Sequence, residues 1–332
     1  MRIIIDGFGG DNAPLEVLKG SLNAKSKLGV DITVVGNEEN IRKCALDNNL
    51  DISALNIHHA DTVMEVCEDP KKILKEFKNS SMAVGLQLLK DGEGDAFVSA
   101  GSTGALVMGA TFIVKRLKGI KRPALATVMP TLGAPCMIMD VGANAEVRPE
   151  ILHQFAIMGS AYMKNLMGVE SPRVALANIG TEPTKGRELE VETYKLLSAS
   201  DLNFIGNIEA RQIPLGDADL VVTDGFSGNI LLKSIEGMAK FFSASLKDMF
   251  KSGPLSILGY LCLKGKVNEF RKKMDYKEHG GAPLLGTAKP VFKAHGSSDA
   301  KAFYNAIRQA KTFCEKEVIK EFAAAISSDS EE

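Results

Sequence analysis

A chain of 332 residues is longer than one hydrophobic core usually serves, so two intimately joined lobes are expected. Its hydrophobic fraction of 45%, charged fraction of 24% and net charge of −1 are ordinary globular values. They exclude disorder and whole-surface nucleic-acid binding, so any charge-driven partner must use a local patch.

The chain opens on an apolar run at 2–6 that reads as a buried strand and meets Asp6 and glycines at once. It is too short for a signal peptide or a membrane span, and a cytoplasmic location is expected. The loop Asp6-Gly-Phe-Gly-Gly-Asp-Asn-Ala-Pro14 lacks the third glycine of a dinucleotide fingerprint, and no acid closes the second strand. It reads instead as a cleft loop whose Asp11 and Asn12 contact a ligand or cap the helix begun by Pro14. Further strands are expected at 32–36, 96–99, 124–129, 173–177 and 220–223, and a strand at 136–140 running against the others would make the sheet mixed. Helical spacing covers 14–27, 41–48, 83–89, 105–117, 151–167 and 230–250, with a final helix from about 298 to 322 and a frayed tail at 327–332. The alternation predicts a three-layer αβα fold with helices on both faces of one sheet. Five scattered cysteines suggest neither a disulfide framework nor a zinc site.

Three strand-to-helix loops carry the chemistry. Ser99-Ala-Gly-Ser-Thr-Gly-Ala-Leu106 offers glycines, the hydroxyls of Ser102 and Thr103 and the backbone of Gly104 to an anion, although serine and threonine also serve as helix caps. Asn178-Ile-Gly-Thr-Glu-Pro-Thr-Lys-Gly186 repeats the pattern with Asn178 and Thr181 and adds the cation Lys185. Thr223-Asp-Gly-Phe-Ser-Gly-Asn229 clusters Asp224, Ser227, Gly228 and Asn229 at a carboxyl strand end, where open α/β sheets bind ligands, while Asp-Gly is also a common turn. His295 precedes the last helix and is the one histidine expected in the cleft. No nucleophile elbow or glycine-flanked cysteine is present, which disfavours a covalent intermediate.

The segment 252–277 breaks the rhythm. Leu255, Ile257, Leu258, Tyr260, Leu261 and Leu263 adjoin Lys264, Lys266, Arg271, Lys272 and Lys273. A core helix with a solvated end and a protruding element that meets a bilayer interface or an acidic protein are both compatible with this pattern. A second basic run lies at 115–122.

Taken together, the loop at 6–14, the segment 99–106, Arg122-Pro-Ala124, Asp140-Val-Gly-Ala-Asn144, the segment 178–186, Gly206-Asn-Ile-Glu209, the segment 224–229, Gly280-Gly-Ala-Pro-Leu-Leu-Gly286 and His295-Gly296 resemble the bacterial acyl-carrier-protein:phosphate acyltransferase family. The resemblance spans nearly the whole chain in nine ordered motifs. It implies a fold like phosphotransacetylase and the isopropylmalate dehydrogenases, with two intertwined lobes, roughly 1–130 plus 285–326 and 131–284, usually as a homodimer. It also implies transfer of a long acyl group from acyl carrier protein to inorganic phosphate, feeding a membrane-bound glycerol-phosphate acyltransferase, with no metal or organic cofactor.

On that basis Lys185, Asn229, Asp224 and His295 are the catalytic candidates, with Asp224 or His295 holding the phosphate proton. Ser102, Thr103, Gly104, Asn178, Thr181, Ser227 and Gly228 are the candidates for holding phosphate or substrate. Leu258, Leu261, Lys264, Arg271, Lys272 and Lys273 are expected to meet carrier protein, lipid or a partner subunit. Three rivals are weighed beside this: a phosphotransacetylase using short acyl coenzyme A, a metal-dependent decarboxylating dehydrogenase built on Asp217, Asp219 and Asp224, and a non-catalytic carrier sensor.

Overall fold

The computed structural model describes residues 1–274 and 280–329, with the side chains of 271–274 and 327–329 left undescribed. Its strands are β1 (Arg2–Asp6), β2 (Asp31–Gly36), β3 (Asn56–His59), β4 (Ala96–Ser99), β5 (Ala124–Met129), β6 (Cys136–Met139), β7 (Val174–Asn178), β8 (Phe204–Glu209), β9 (Leu220–Val222), β10 (Ala282–Leu285) and β11 (Val291–Lys293). The helices are α1 (Leu15–Leu28), α2 (Glu38–Asp47), α3 (Ser81–Asp91), α4 (Thr103–Gly109), α5 (Pro149–Met167), α6 (Glu188–Ser198), α7 (Gly225–Lys251), α8 (Pro254–Met274), α9 (Ala300–Glu315) and α10 (Val318–Asp329).

The described strands form one sheet in the order β3-β2-β1-β4-β11-β10-β5-β6-β9-β7-β8. The five strands from β3 to β11 run parallel. The central β10 opposes both β11 and β5. β6 opposes β5, as the sequence suggested, yet β9, β7 and β8 share its direction. The reversal therefore divides the sheet at its middle and does not mark one odd strand.

The pleat explains the three layers. Ile3 and Ile5 of β1 pack into one core with helices α1, α5 and α9, while Ile4 faces the other with α3 and α4. Val98 against Phe97, and Met137 with Met139 against Ile138, split the same way. Side chains that alternate across buried strands fill two cores from a single sheet. The fold class expected from the sequence is the one observed.

Two elements depart from expectation. The final helix is two helices, because the chain turns at Lys316 and Glu317, the latter in the left-handed region at φ 48°. The segment expected as one helix at 105–117 becomes α4 and a π turn at Ala110–Val114, and Lys115 at φ 78° ends it.

Candidate active site

α7 begins where three close approaches fix it. The Asp224 side chain accepts the Ser227 N–H at 2.7 Å and caps the helix. The Gly225 N–H donates to the Asn144 carbonyl at 2.7 Å. Gly228 lies so near β6 that an added Cβ would fall 1.9 Å from the Asp140 carbonyl oxygen, which only glycine tolerates. The buried Asp140 carboxylate in turn accepts the backbone N–H groups of Leu125, Gly142, Ala143 and Asn144, tying β5 to the loop after β6. Burial pushes the Asp140 carboxyl above its ordinary value, and these donors only offset that.

Asp224 is 3% exposed, and Arg187 reaches it at 2.6 Å while also pairing with Glu190. Burial raises the Asp224 pKa, but the Ser227 N–H, the Arg187 guanidinium and the Ser227 hydroxyl outweigh it and hold the carboxyl below its usual range. Arg187 is pushed further up by Glu190 and then Asp224. Asp224 thus stands as a charged anchor for the start of α7 near pH 7.

From that anchor α7 runs along a cavity of about 970 Å³. Asn229, Leu232, Lys233, Glu236, Ala239 and Phe242 line it from residues three or four apart, which puts them on one helix face. Leu125, Val128 and Met129 of β5 form much of the facing apolar wall, and Phe270 of α8 also lines the cavity. Its lining is polar where Lys233 of one half of the sheet meets His295 of the other, and Thr103, Lys293, Gly296 and Asn229 line the same cavity.

The polar groups of this lining are coupled. Lys233 Nζ lies 2.8 Å from Glu236 Oε2 and 3.3 Å from His295 Nε2, and the other ring nitrogen of His295 lies 2.9 Å from Ser297 Oγ. Burial lowers the His295 pKa, and Lys233 lowers it further, so the ring is neutral near pH 7. Burial, reinforced by Lys233, brings Lys293 down to about 8. Asp6 is fully buried and accepts the hydroxyls of Ser81 and Ser99, each at 2.6 Å. Burial raises its pKa against those bonds.

The structure brings together some of the residues singled out from sequence and separates others. Asn229, His295 and Thr103 line the cavity. Ser102 caps α4 through the Ala105 N–H at 3.4 Å, and Gly104 packs against Pro70. Asp11 joins the cleft loop to Gly296 through its backbone N–H, and the Asn12 amide donates to the Ser298 carbonyl. Asn178 closes its own loop, donating to the Lys185 carbonyl at 2.9 Å and accepting the Ile179 N–H. Thr181 and Lys185 are exposed on that loop, outside the cavity lining. Ser227 and Gly228 shape the start of α7 and do not line the cavity.

Lys233, Glu236, Lys293 and Arg187 were missed. The first two stand one and two turns of helix beyond Asn229, a spacing that could have revealed them. Lys293, the one cation in the Val291-Phe-Lys293 strand, was legible only as an oddity. Asp217, Asp219 and Asp224 do not cluster: Asp219 pairs with Arg173 at 2.9 Å, Asp217 accepts from Gln212, and Asp224 holds Arg187.

α8 exposes Leu255, Leu258 and Leu261 at 86%, 59% and 60%, so it is not a core helix. Lys264 is exposed beside them, whereas the side chains of Arg271, Lys272 and Lys273 lie outside the described residues. Among the described residues no helix is long and apolar enough to cross a membrane.

The fold is an α/β fold of the phosphotransacetylase type. A phosphotransacetylase from Streptococcus pyogenes superposes with a TM-score of 0.64 at 18% identity, over 96% of this chain and 94% of that one. A branched-chain phosphotransacylase from Enterococcus faecalis superposes with a TM-score of 0.57 at 15% identity, over 95% and 99%. Sequence similarity is closer: a phosphate acyltransferase of Thermoanaerobacterium thermosaccharolyticum is 46% identical over 96% of this chain and 95% of its own, and one of Bacillus cereus is 43% identical over 99% of each. The chain belongs to the fatty acid synthesis protein family, whose model matches residues 1–321.

Proposed function

We propose that this chain is a phosphate acyltransferase that moves a long fatty-acyl group from acyl carrier protein to inorganic phosphate. The acyl phosphate formed would feed glycerol-3-phosphate acylation by a membrane-bound enzyme. The observation that carries the reading is the cavity itself, a largely apolar space whose lining includes Lys233, Lys293, His295 and Asn229. At about 970 Å³ it is at the upper end of small-molecule sites and suits an alkyl chain laid against Leu125, Met129 and Leu232. The curated relatives at 43–46% identity support the activity by their names.

In this reading hydrogen phosphate attacks the thioester carbonyl carbon. A C–O bond forms, the C–S bond breaks, and the phosphate proton ends on the departing sulfur. Asn229 and nearby cations would stabilise the developing oxyanion. His295 is better suited than Asp224 to carry the proton, because its ring is neutral and lines the cavity while Asp224 is committed to Arg187 and Ser227. Lys185 on its exposed loop would act on incoming substrate, with Thr181 beside it. The exposed leucines and Lys264 of α8 offer a surface to an acidic carrier protein or an anionic lipid interface.

A phosphotransacetylase acting on short acyl coenzyme A remains the second reading, favoured by the solved structures of similar fold. The test is phosphate-dependent release of carrier thiol from palmitoyl acyl carrier protein, run beside palmitoyl and acetyl coenzyme A. Turnover on the carrier substrate is expected. Turnover on acetyl coenzyme A alone would overturn the reading.

A further inference from the structure

We propose that Lys293 of β11 and Lys233 of α7 form the seat of a phosphate dianion in the lining of the cavity, held from both halves of the sheet. The proposal rests on the phosphate acyltransferase reading for its ligand, and it names cations inside the cavity, where Lys185 does not reach the lining. Lys293 pairs in register with Ser99 of β4, directly below the glycine turn that follows that strand. Its Nζ donates to the carbonyl of Ala100 at 3.3 Å and to that of Ala294. Both partners are neutral, and an ammonium has a third donor. Among the described residues no carboxylate lies within ion-pair distance of Lys293.

A largely buried ammonium on carbonyl oxygens alone is a costly arrangement unless a charge arrives to complete it. Lys233 approaches from the other half of the sheet, its charge shared with Glu236 at 2.8 Å. The groups acting on Lys293 are Lys233 on α7, which repels it, and the carboxylates of Asp6 on β1 and Asp11 on the following loop, which support its charge. His295 next to it is neutral and adds no charge. Thr103 and Asn229 line the same cavity and supply neutral donors for the remaining oxygens of a tetrahedral anion. Two cations from separate elements with several uncharged donors match a dianion better than a single carboxylate.

The experiment is calorimetric titration of the full chain with inorganic phosphate at about pH 8.5, in two buffers of different ionisation heat. Free Lys293, at about 8, is then partly uncharged, while the phosphate is already a dianion. Binding restores the lysine charge, so wild type is expected to take up protons. Lys293→Met is expected to bind phosphate about 10- to 100-fold more weakly and to take up none. Lys293→Arg guards against a folding defect and is expected to bind phosphate without uptake, since its guanidinium stays charged. Lys233→Met is expected to bind more weakly with smaller uptake, because without the neighbouring cation free Lys293 keeps more of its charge. Wild-type affinity in Lys293→Met, or binding by wild type without proton uptake, would overturn the proposal. If phosphate binds as described while no acyl donor is turned over, the acyltransferase reading fails and the phosphate seat stands.

Discussion

Removing the Arg187 guanidinium tests the claim that a buried charge anchors α7. In Arg187→Met the Asp224 carboxylate, 3% exposed, loses its 2.6 Å partner and keeps only the two Ser227 donors. Breaking a fully buried pair costs about 3–5 kcal/mol. Here the arginine side chain is 61% exposed and solvent screens it, so the expected loss is nearer 1–2 kcal/mol. The sign with pH follows from the direction of the shift. A carboxyl held below its ordinary value stabilises the fold above about pH 4, and that contribution is lost as pH falls through its folded value. The gap between wild type and variant should therefore be full at pH 7 and close in acid. Urea unfolding from pH 7 to pH 3 measures it, with phosphate-dependent turnover followed in parallel because Asn229 and Lys233 ride on the same helix. A variant as stable as wild type at pH 7, or a gap that widens in acid, would refute the anchoring argument.

Other expectations follow from the same geometry. Gly228→Ala should cost about 3 kcal/mol or more, since its methyl group would sit 1.9 Å from the Asp140 carbonyl oxygen; an unchanged urea midpoint would show that the helix can shift. Ala239→Phe narrows the cavity from α7, and shutting out four methylenes at about 0.8 kcal/mol each predicts a roughly 200-fold fall in kcat/KM for palmitoyl donors with short donors spared. An unaltered chain-length profile would place the acyl chain elsewhere. Replacing both Leu258 and Leu261 with Ser should weaken carrier binding or cosedimentation with anionic vesicles by tenfold or more while leaving phosphate affinity intact. Wild-type behaviour in both assays would remove α8 from recognition.

Strands with dense apolar runs, such as Arg2–Asp6 and Ala124–Met129, were legible to the residue. β3 and β8 were not, because edge strands expose part of their length and carry little hydrophobic signal. β10 was hidden by its proline and by the glycines before it. At the site, the loops that bear Thr103, Asn229 and His295 announced themselves through glycine and hydroxyl chemistry. Lys233 and Lys293 did not, since a lysine on a helix or at a strand end is ordinary until tertiary packing sets it in the lining of a cavity. The same packing set Lys185 on the surface, which loop composition alone does not disclose.

α7 explains how recognition and chemistry can share one element. Its first turn is pinned by Asp224 and Gly228, its second and third turns carry Asn229 and Lys233, and Phe242 closes the apolar wall two turns beyond Ile235. The 27-residue helix, about 40 Å long, then continues past the sheet to pack with α8. Phe241 and Phe242 are adjacent, yet only Phe242 lines the cavity, and Phe241 is 60% exposed. The helix that walls the cavity thus also exposes apolar side chains, and α8 packed on it exposes Leu258 and Leu261. Apolar area of that extent on a single chain calls for a cover. A carrier docked there would stand beside Phe242 and Phe270, which line the cavity that Lys233 and Lys293 also line. On this geometry changes to the outer face should act on the acyl donor, and changes at Lys233 or Lys293 on phosphate.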